Sequence, residues 1–275
     1  MSHRWRVAVV VAVGLAVASA VAVRTAAADE AALADVAPMT LLEAPTHLRF
    51  SAREVGAAAR RQPAPVEAAL RDCDADARCE RVRAIWSRLL PIARAQPCSA
   101  GDELRLVLVT TGSSAYAHAD GRVIFPLALI DALTLSDEEI AFILAHEIVH
   151  VLLEHERELL TAVDVLLRPD VRRSAYDVYQ AMQFDLGLTL KASFLLHAAE
   201  HEADVYGLQL AALAGFAPQR QASALDKLLG TTGAGNARAR GTERAVLATH
   251  PADVERVQRV RDVLPIAQAL YQAPR

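Results

Sequence analysis

The sequence predicts a protein of the α+β class, mainly α-helical with a small antiparallel β-sheet. Two observations support this class. Apolar residues recur at three- and four-residue spacing through most of the chain, which is the period of an amphipathic helix. Runs with strand character are short and confined to residues 104–125, where an Asp-Gly turn joins two of them.

The first segment, residues 1–28, has the pattern of an export signal. Two arginines precede an apolar run at 7–23, and small residues that suit cleavage stand at 18–20 and 26–28. We expect export to the periplasm or out of the cell. Seventeen apolar residues are at the lower limit for crossing a bilayer. The alternative is therefore an uncleaved anchor that keeps the N-terminus at the membrane.

The second segment, residues 29–100, is expected to be helical and to pack on the core. Its clearest apolar face ends at Pro91 and consists of Val82, Ile85, Trp86, Leu89 and Leu90. The segment also contains Cys73, Cys79 and Cys98. In an exported chain we expect one disulfide among them, and the sequence leaves the pairing open.

The third segment, residues 101–275, is the predicted core domain. Strands are expected at 104–110, 116–119 and 122–125. Ser136 with Glu139 forms a capping box, which predicts that a helix starts at Ser136. The apolar stripe that carries this helix to about Glu158 consists of Ile140, Ile143, Leu144, Ile148, Val151 and Leu152.

This helix carries the motif His146-Glu147-Ile148-Val149-His150. A four-residue step turns by about 400° and rises by about 6 Å, so the two histidines share one face. Two histidines at this spacing, with Glu147 beside them as a general base, are typical of a zinc site. His155 lies about 140° further around the same helix. We therefore expect His155 on the solvent side and not among the ligands.

A catalytic zinc site usually takes three protein ligands and leaves one position for water, so one more ligand is needed. Glu200 is the best candidate, on a second predicted helix. Asp204 follows one turn later on the same face, where it could accept the outer N–H of a ligating histidine. The alternatives for the third ligand are His197, His201 and Glu202, of which Glu202 is expected to point away.

These motifs together resemble metallopeptidase family 48, whose members include HtpX, the CAAX prenyl endopeptidases and BepA-type periplasmic proteases. The resemblance covers about residues 103–259. Its motifs are the strand and hairpin, the His-Glu-x-x-His helix, Glu200-x-x-Ala203-Asp204-x-x-Gly207, Ala214-Gly215-Phe216-Ala217-Pro218, and Thr249-His250-Pro251 with Arg256. The chain departs from the family at Ser114, where relatives commonly have Asn before the Ala-aromatic pair.

The resemblance implies a zincin-type domain with His-Glu-x-x-His on its active-site helix. One Zn²⁺ per chain would be held by His146, His150 and Glu200, with Asp204 supporting a ligand. Glu147 would be the catalytic base. The implied activity is that of an exported zinc metalloendopeptidase, which hydrolyses peptide bonds of unfolded or extended polypeptides in envelope protein quality control.

A second candidate catalytic residue is His250, which by the resemblance approaches the metal or the oxyanion. The alternative is that Thr249 caps a helix that begins with Pro251. Other candidates for stabilising the oxyanion are Tyr206, His197 and Arg256.

Two other function classes stay open. One is a zinc-dependent protein-binding or chaperone-like module with little or no proteolysis, and the other is a structural metal domain that His250 would close as fourth ligand.

The net charge of the chain disfavours nucleic acid as a partner. Without residues 1–28 the chain has 26 basic against 33 acidic residues, because three arginines and no acids are removed.

Overall fold

The computed structural model describes residues 48–61, 76–96, 103–167, 170–233 and 254–273. The predicted export segment lies outside these residues, as do His250, Cys73 and Cys98. Within them the chain is mainly helical with one small sheet, which confirms the predicted α+β class.

The described elements are ten helices and three strands. The helices are α1 (Ala52–Ala59), α2 (Ala77–Arg94), α3 (Ala128–Leu133), α4 (Asp137–Leu152), α5 (His155–Leu167), α6 (Ala175–Phe184), α7 (Leu186–Leu213), α8 (Pro218–Gln221), α9 (Ser223–Gly233) and α10 (Val254–Gln272). The strands are β1 (Arg105–Val109), β2 (Tyr116–Ala117) and β3 (Arg122–Pro126). None of the helices in the described ranges combines the length and the hydropathy needed to span a membrane.

The sheet has the order β1-β3-β2 and is mixed, not antiparallel throughout as expected. β2 and β3 form the predicted antiparallel hairpin. β1 pairs with the other edge of β3 and runs parallel to it, with Arg105 opposite Arg122. The reason is burial: Val123, Ile124 and Phe125 are each at most 4% exposed, so β3 takes the covered central position between the other two strands.

The hairpin turns at Gly121, as predicted. Its φ is 84°, and its N–H donates to the carbonyl of His118 at 2.9 Å. A Cβ at this position would lie 2.3 Å from the Glu103 carbonyl oxygen. Glycine is therefore required here both for its conformation and for the space it leaves.

The start of α4 follows the prediction, and its end does not. The Ser136 N–H donates to Glu139 Oε2 at 2.7 Å and the Glu139 N–H donates to Ser136 Oγ at 3.3 Å, which completes the capping box. The predicted continuation to about Glu158 is wrong, because the helix ends at Leu152. Glu154 adopts a left-handed φ of 59°, and a new helix, α5, begins at His155.

The predicted interruption of α2 at Pro91 is also wrong. The helix runs on to Arg94 with Pro91 inside it, so the missing proline N–H costs one i→i−4 hydrogen bond but does not end the helix. The Pro91 carbonyl accepts a hydrogen bond from the Ala95 N–H at 3.1 Å.

Cys79, in the first turns of α2, is disulfide-bonded. Because the other two cysteines lie outside the described residues, the pairing stays open.

Candidate metal centre between two helices

Helices α4 and α7 meet at Gly207. A Cβ on this residue would lie 2.9 Å from the His146 backbone nitrogen and 3.0 Å from its Cα. Backbone therefore packs on backbone where the two helices cross. Ala203, one turn earlier on α7, is fully buried and keeps the approach close.

This crossing brings His146, His150 and Glu200 together. One candidate ligand atom of each lies within 4.8 Å of the others. His146 Nε2 is 3.5 Å from Glu200 Oε2, and His150 Nε2 is 3.4 Å from Glu200 Oε1. The two Nε2 atoms are 3.1 Å apart. Both imidazoles thus direct Nε2 towards the Glu200 carboxylate, in agreement with the shared helix face that the spacing predicts. We call the site formed by these three side chains the metal corner.

The alternatives for the third position lie elsewhere. Among the described histidines, cysteines and acidic residues, the cluster around the two histidines contains Glu200 and none of His197, His201 or Glu202. His197 is exposed. Glu202 is directed to His155, with Oε2 at 3.2 Å from His155 Nε2. Of these candidates, the structure therefore brings Glu200 next to the two histidines.

Asp204 supports His146, and Arg256 supports Asp204. His146 Nδ1 is 3.0 Å from Asp204 Oδ1. Arg256 donates from Nε and Nη2 to the two oxygens of Asp204 at 2.7 and 2.8 Å, and its Nη1 lies 2.7 Å from Glu200 Oε2. All three guanidinium nitrogens thus face carboxylates. Arg256, a candidate oxyanion donor from sequence, ties α10 to Glu200 and Asp204 of α7.

The charges of this corner suit a bound cation. Among the described residues it contains three buried carboxylates, those of Glu147, Glu200 and Asp204, against one buried guanidinium, that of Arg256. Buried charges require counter-charges nearby. Two imidazole nitrogens and a carboxylate are also a donor set that zinc accepts. The residues present therefore fit a divalent metal ion.

The two histidines have opposite shifts of pKa. Burial alone lowers the pKa of His146, but Asp204 and Glu200 outweigh it and raise the pKa to about 10. Burial dominates at His150 and lowers its pKa well below the ordinary value. In the absence of a metal, the carboxylates thus attract positive charge to the corner. His150 is already in the neutral form that binds a metal.

His155 is not where the sequence predicts it. It is 7% exposed, and its Nδ1 lies 2.9 Å from His150 Nδ1. The expected solvent-facing position is wrong because it assumes one continuous helix, whereas the left-handed Glu154 interrupts the rotation. The sequence does show a third histidine close to the motif, but its position beside His150 can be inferred only if the helix is known to break at Glu154.

The proposed catalytic base and the candidate oxyanion donors are the remaining predicted residues. Glu147 is 2% exposed on α4, between the two histidines. Tyr206 lies half-buried on α7, and its role and that of His197 at an oxyanion stay predictions. His250 lies outside the described residues, so its role also stays a prediction.

The hairpin is tied to the first turn of α5 by Glu156. The Ala119 N–H donates to Glu156 Oε2 at 2.5 Å, and Glu156 Oε1 accepts a hydrogen bond from the Tyr179 hydroxyl. His118 Nδ1 lies 3.5 Å from the same Oε1. Burial, with the Glu156 carboxylate, raises the pKa of Tyr179, so its hydroxyl stays protonated and donates. One carboxylate thus joins the hairpin to α5 and to Tyr179 of α6.

Comparison with known proteins identifies the family of the chain. The model of Peptidase family M48 matches residues 77–264, about two thirds of the chain, from the first residue of α2 into α10. No curated protein matches the chain. The match contains every element that carries the metal corner. The chain therefore belongs to peptidase family M48, a family of zinc-dependent metallopeptidases.

Proposed function

We propose that the chain is an exported endopeptidase with one zinc ion held by His146, His150 and Glu200. The observation that carries the proposal is the convergence of these three side chains, within 4.8 Å of one another, in a chain of family M48. Three protein ligands leave a coordination position for water or substrate, which is the arrangement of catalytic zinc sites. A bound zinc ion supplies Lewis-acid polarisation of the scissile carbonyl and acidifies water.

Glu147 is the proposed general base. Its carboxylate takes a proton from the water that attacks the carbonyl carbon and delivers it to the nitrogen of the leaving amine. Its low exposure, 2%, keeps bulk water away from that transfer. Asp204 and Arg256 do not touch the substrate in this mechanism. Asp204 holds His146 through Nδ1, and Arg256 holds Asp204 and Glu200 in place.

The proposed substrate is an extended polypeptide. β2 stands at an edge of the sheet among the described strands, so its outer side offers main-chain groups to an added strand. Ser114, just before it, donates its hydroxyl to the Ala115 carbonyl at 3.0 Å. The hydroxyl proton is therefore engaged with the backbone and is not offered to a substrate. Binding would then depend on the main-chain hydrogen bonds of strand addition more than on a polar contact at Ser114.

The proposed place of action is the periplasm or the outside of the cell. The support is the sequence of residues 1–28, where two arginines precede an apolar run and small residues. An uncleaved segment would hold the enzyme beside the membrane. Unfolded envelope proteins are the substrates that fit this location and an open strand edge, so we propose a role in envelope protein quality control.

The test compares the purified chain with Glu147→Gln. We expect both to bind one zinc ion, and the variant to degrade an unfolded protein such as casein about 10²- to 10⁴-fold more slowly. Glu138→Gln is the matched control, because Glu138 lies on the same helix and pairs with Arg220 at 3.5 Å, away from the metal corner. We expect wild-type activity from this control.

Two results would contradict the proposal. Equal activity of wild type and Glu147→Gln, each with a full complement of zinc, would rule out Glu147 as the base. Binding of unfolded protein without cleavage by the wild type would instead support a zinc-dependent binding or chaperone-like module.

A further inference from the structure

We propose that His155 is a positioning residue for the metal ligand His150, and that Glu202 orients His155 in turn. The inference rests on the zinc site of the proposed function. Two contacts carry it: His155 Nδ1 lies 2.9 Å from His150 Nδ1, and His155 Nε2 lies 3.2 Å from Glu202 Oε2. Together they form a chain from a carboxylate through two imidazoles to the metal corner.

The direction of each hydrogen bond follows from the metal. His150 directs Nε2 to the corner, at 3.4 Å from Glu200 Oε1, so in the neutral ring the proton is on Nδ1. That Nδ1–H donates to the Nδ1 lone pair of His155. His155 must then carry its own proton on Nε2, which donates to the Glu202 carboxylate. A single tautomer of each ring satisfies every contact in the chain.

His155 is not itself a ligand in this arrangement. It approaches His150 from the Nδ1 side, away from the nitrogen that faces the corner. The two rings meet edge to face, with centroids 4.9 Å apart and planes at 78°. Among the described residues, His155 does not join the cluster of candidate ligand atoms.

The position of His155 depends on the break between α4 and α5. On a continuous helix it would lie about 140° around from His150. The left-handed Glu154, with a φ of 59°, ends the rotation and lets α5 start at His155. Burial to 7% exposure then removes competing water from the ring. Support of this kind typically changes metal affinity by about 10- to 100-fold.

The first experiment measures zinc affinity of the full chain, His155→Phe and His155→Asn. Phenylalanine keeps the ring but removes the acceptor, whereas the asparagine amide oxygen stands close to the former position of Nδ1. By competition with a chromophoric chelator, we expect the dissociation constant for zinc to rise about 10- to 100-fold in His155→Phe. We expect His155→Asn to stay within about threefold of wild type.

A spectroscopic measurement tests orientation directly. Cobalt replaces zinc in each protein, and its visible absorption reports the ligand geometry. The spectrum should change in His155→Phe and return towards wild type in His155→Asn. A loss of affinity that asparagine does not restore would indicate only a packing role for His155 and would overturn the inference.

The second link is tested at Glu202, whose side chain is 21% exposed and so tolerates substitution. Glu202→Leu removes the acceptor for His155, and Glu202→Gln keeps one. We expect zinc affinity to fall about 3- to 10-fold in the first and to stay near wild type in the second. This pair decides the question if His155→Phe does not fold.

Asp164→Asn is the structural control. Asp164 is fully buried on the same helix and pairs with Arg49 at 2.8 Å, so its loss should lower stability and leave zinc affinity unchanged. If wild type binds no zinc, the proposed function fails and this inference with it. If wild type binds zinc, and His155→Phe and Glu202→Leu bind it equally well, only the inference fails.

Discussion

The two histidines of the metal corner are one helical turn apart, but they are held in different ways. His146 contacts Asp204, which pairs with Arg256, and the two side chains of this charged pair are 0% and 6% exposed. His150 contacts the imidazole of His155, which in turn contacts the partly exposed Glu202. The first support ties three helices together by buried charge, and the second orients a ring. Damage on the first side should therefore appear mainly as lost stability, and damage on the second as lost metal affinity.

The largest effect that would test this difference is expected from Arg256→Met. The substitution removes the guanidinium from between Asp204 and Glu200 and leaves buried carboxylates without it. We expect the free energy of unfolding of the zinc-free protein to fall by about 3–5 kcal/mol, measured by urea denaturation. Zinc binding should partly restore the loss, because the ion supplies positive charge to the same carboxylates.

The control is Arg261→Met, on the same helix. Arg261 is 56% exposed and lies 3.7 Å from Asp226, so its loss should change the free energy of unfolding by about 0–1 kcal/mol. If the two variants unfold alike, buried charge does not hold the His146 side and the comparison fails.

A smaller effect is expected where the two helices touch. In Gly207→Ala the new Cβ would meet the His146 backbone nitrogen at 2.9 Å, so α7 must move away from α4. We expect a loss of about 1–3 kcal/mol in the free energy of unfolding, together with weaker zinc binding, because Glu200 and Asp204 move with α7.

Gly187→Ala provides the matched change on the same helix. Its Cβ would meet only the Asp185 side-chain oxygen, at 3.1 Å. Replacing glycine by alanine within a helix is otherwise favourable by about 0.5–1 kcal/mol. A loss at Gly187 as large as that at Gly207 would indicate that the loss at Gly207 does not come from the helix crossing.

The smallest effect concerns the other end of α4, where Glu139 accepts from Lys227 Nζ and Ser223 Oγ, both at 2.7 Å. Burial alone raises the pKa of Glu139, but these hydrogen bonds and that from Ser136 outweigh it and hold the pKa below 4.5. A lowered pKa stabilises the folded state above pH 4.5, and this contribution is lost as the pH falls through the folded value.

Glu139→Gln should therefore lower the free energy of unfolding by about 1 kcal/mol at neutral pH. The difference from wild type should shrink as the pH falls below 4.5, which a series of thermal denaturations would measure. Zinc affinity should stay unchanged, since Glu139 anchors the helix far from both histidines. A pH-independent difference would show that the carboxylate charge contributes nothing.

The sequence predicted those features that follow from local rules. The capping box of Ser136 and Glu139 places the start of α4, and four-residue spacing brings His146 to the same face as His150. The same spacing pairs Glu200 with Asp204. Each of these inferences uses residues within one or two turns of one another, where helix geometry alone determines the neighbours.

The remaining features depend on contacts between distant residues. Nothing local marks the end of α4, because apolar spacing continues to Leu160 and no Gly or Pro intervenes. The break at Glu154 is instead held by Arg157, which bonds to the Glu154 carboxylate and, at 2.9 Å, to the Phe50 carbonyl. Arg256 reaches Asp204 across 52 positions, a distance that no periodicity predicts. The parallel pairing of β1 likewise depends on which strand becomes buried.

One consequence follows from the order of two neighbouring residues at the start of α5. His155 contacts His150, the proposed metal ligand, and Glu156 accepts a hydrogen bond from the hairpin backbone at Ala119. The strand edge proposed for substrate and the proposed zinc ligand thus both contact the first turn of α5. A polypeptide that displaces the hairpin would therefore also displace the turn that contacts His150. Substitutions in the proposed substrate edge should therefore leave this turn intact, because a shift of the turn would also move the residue that contacts His150.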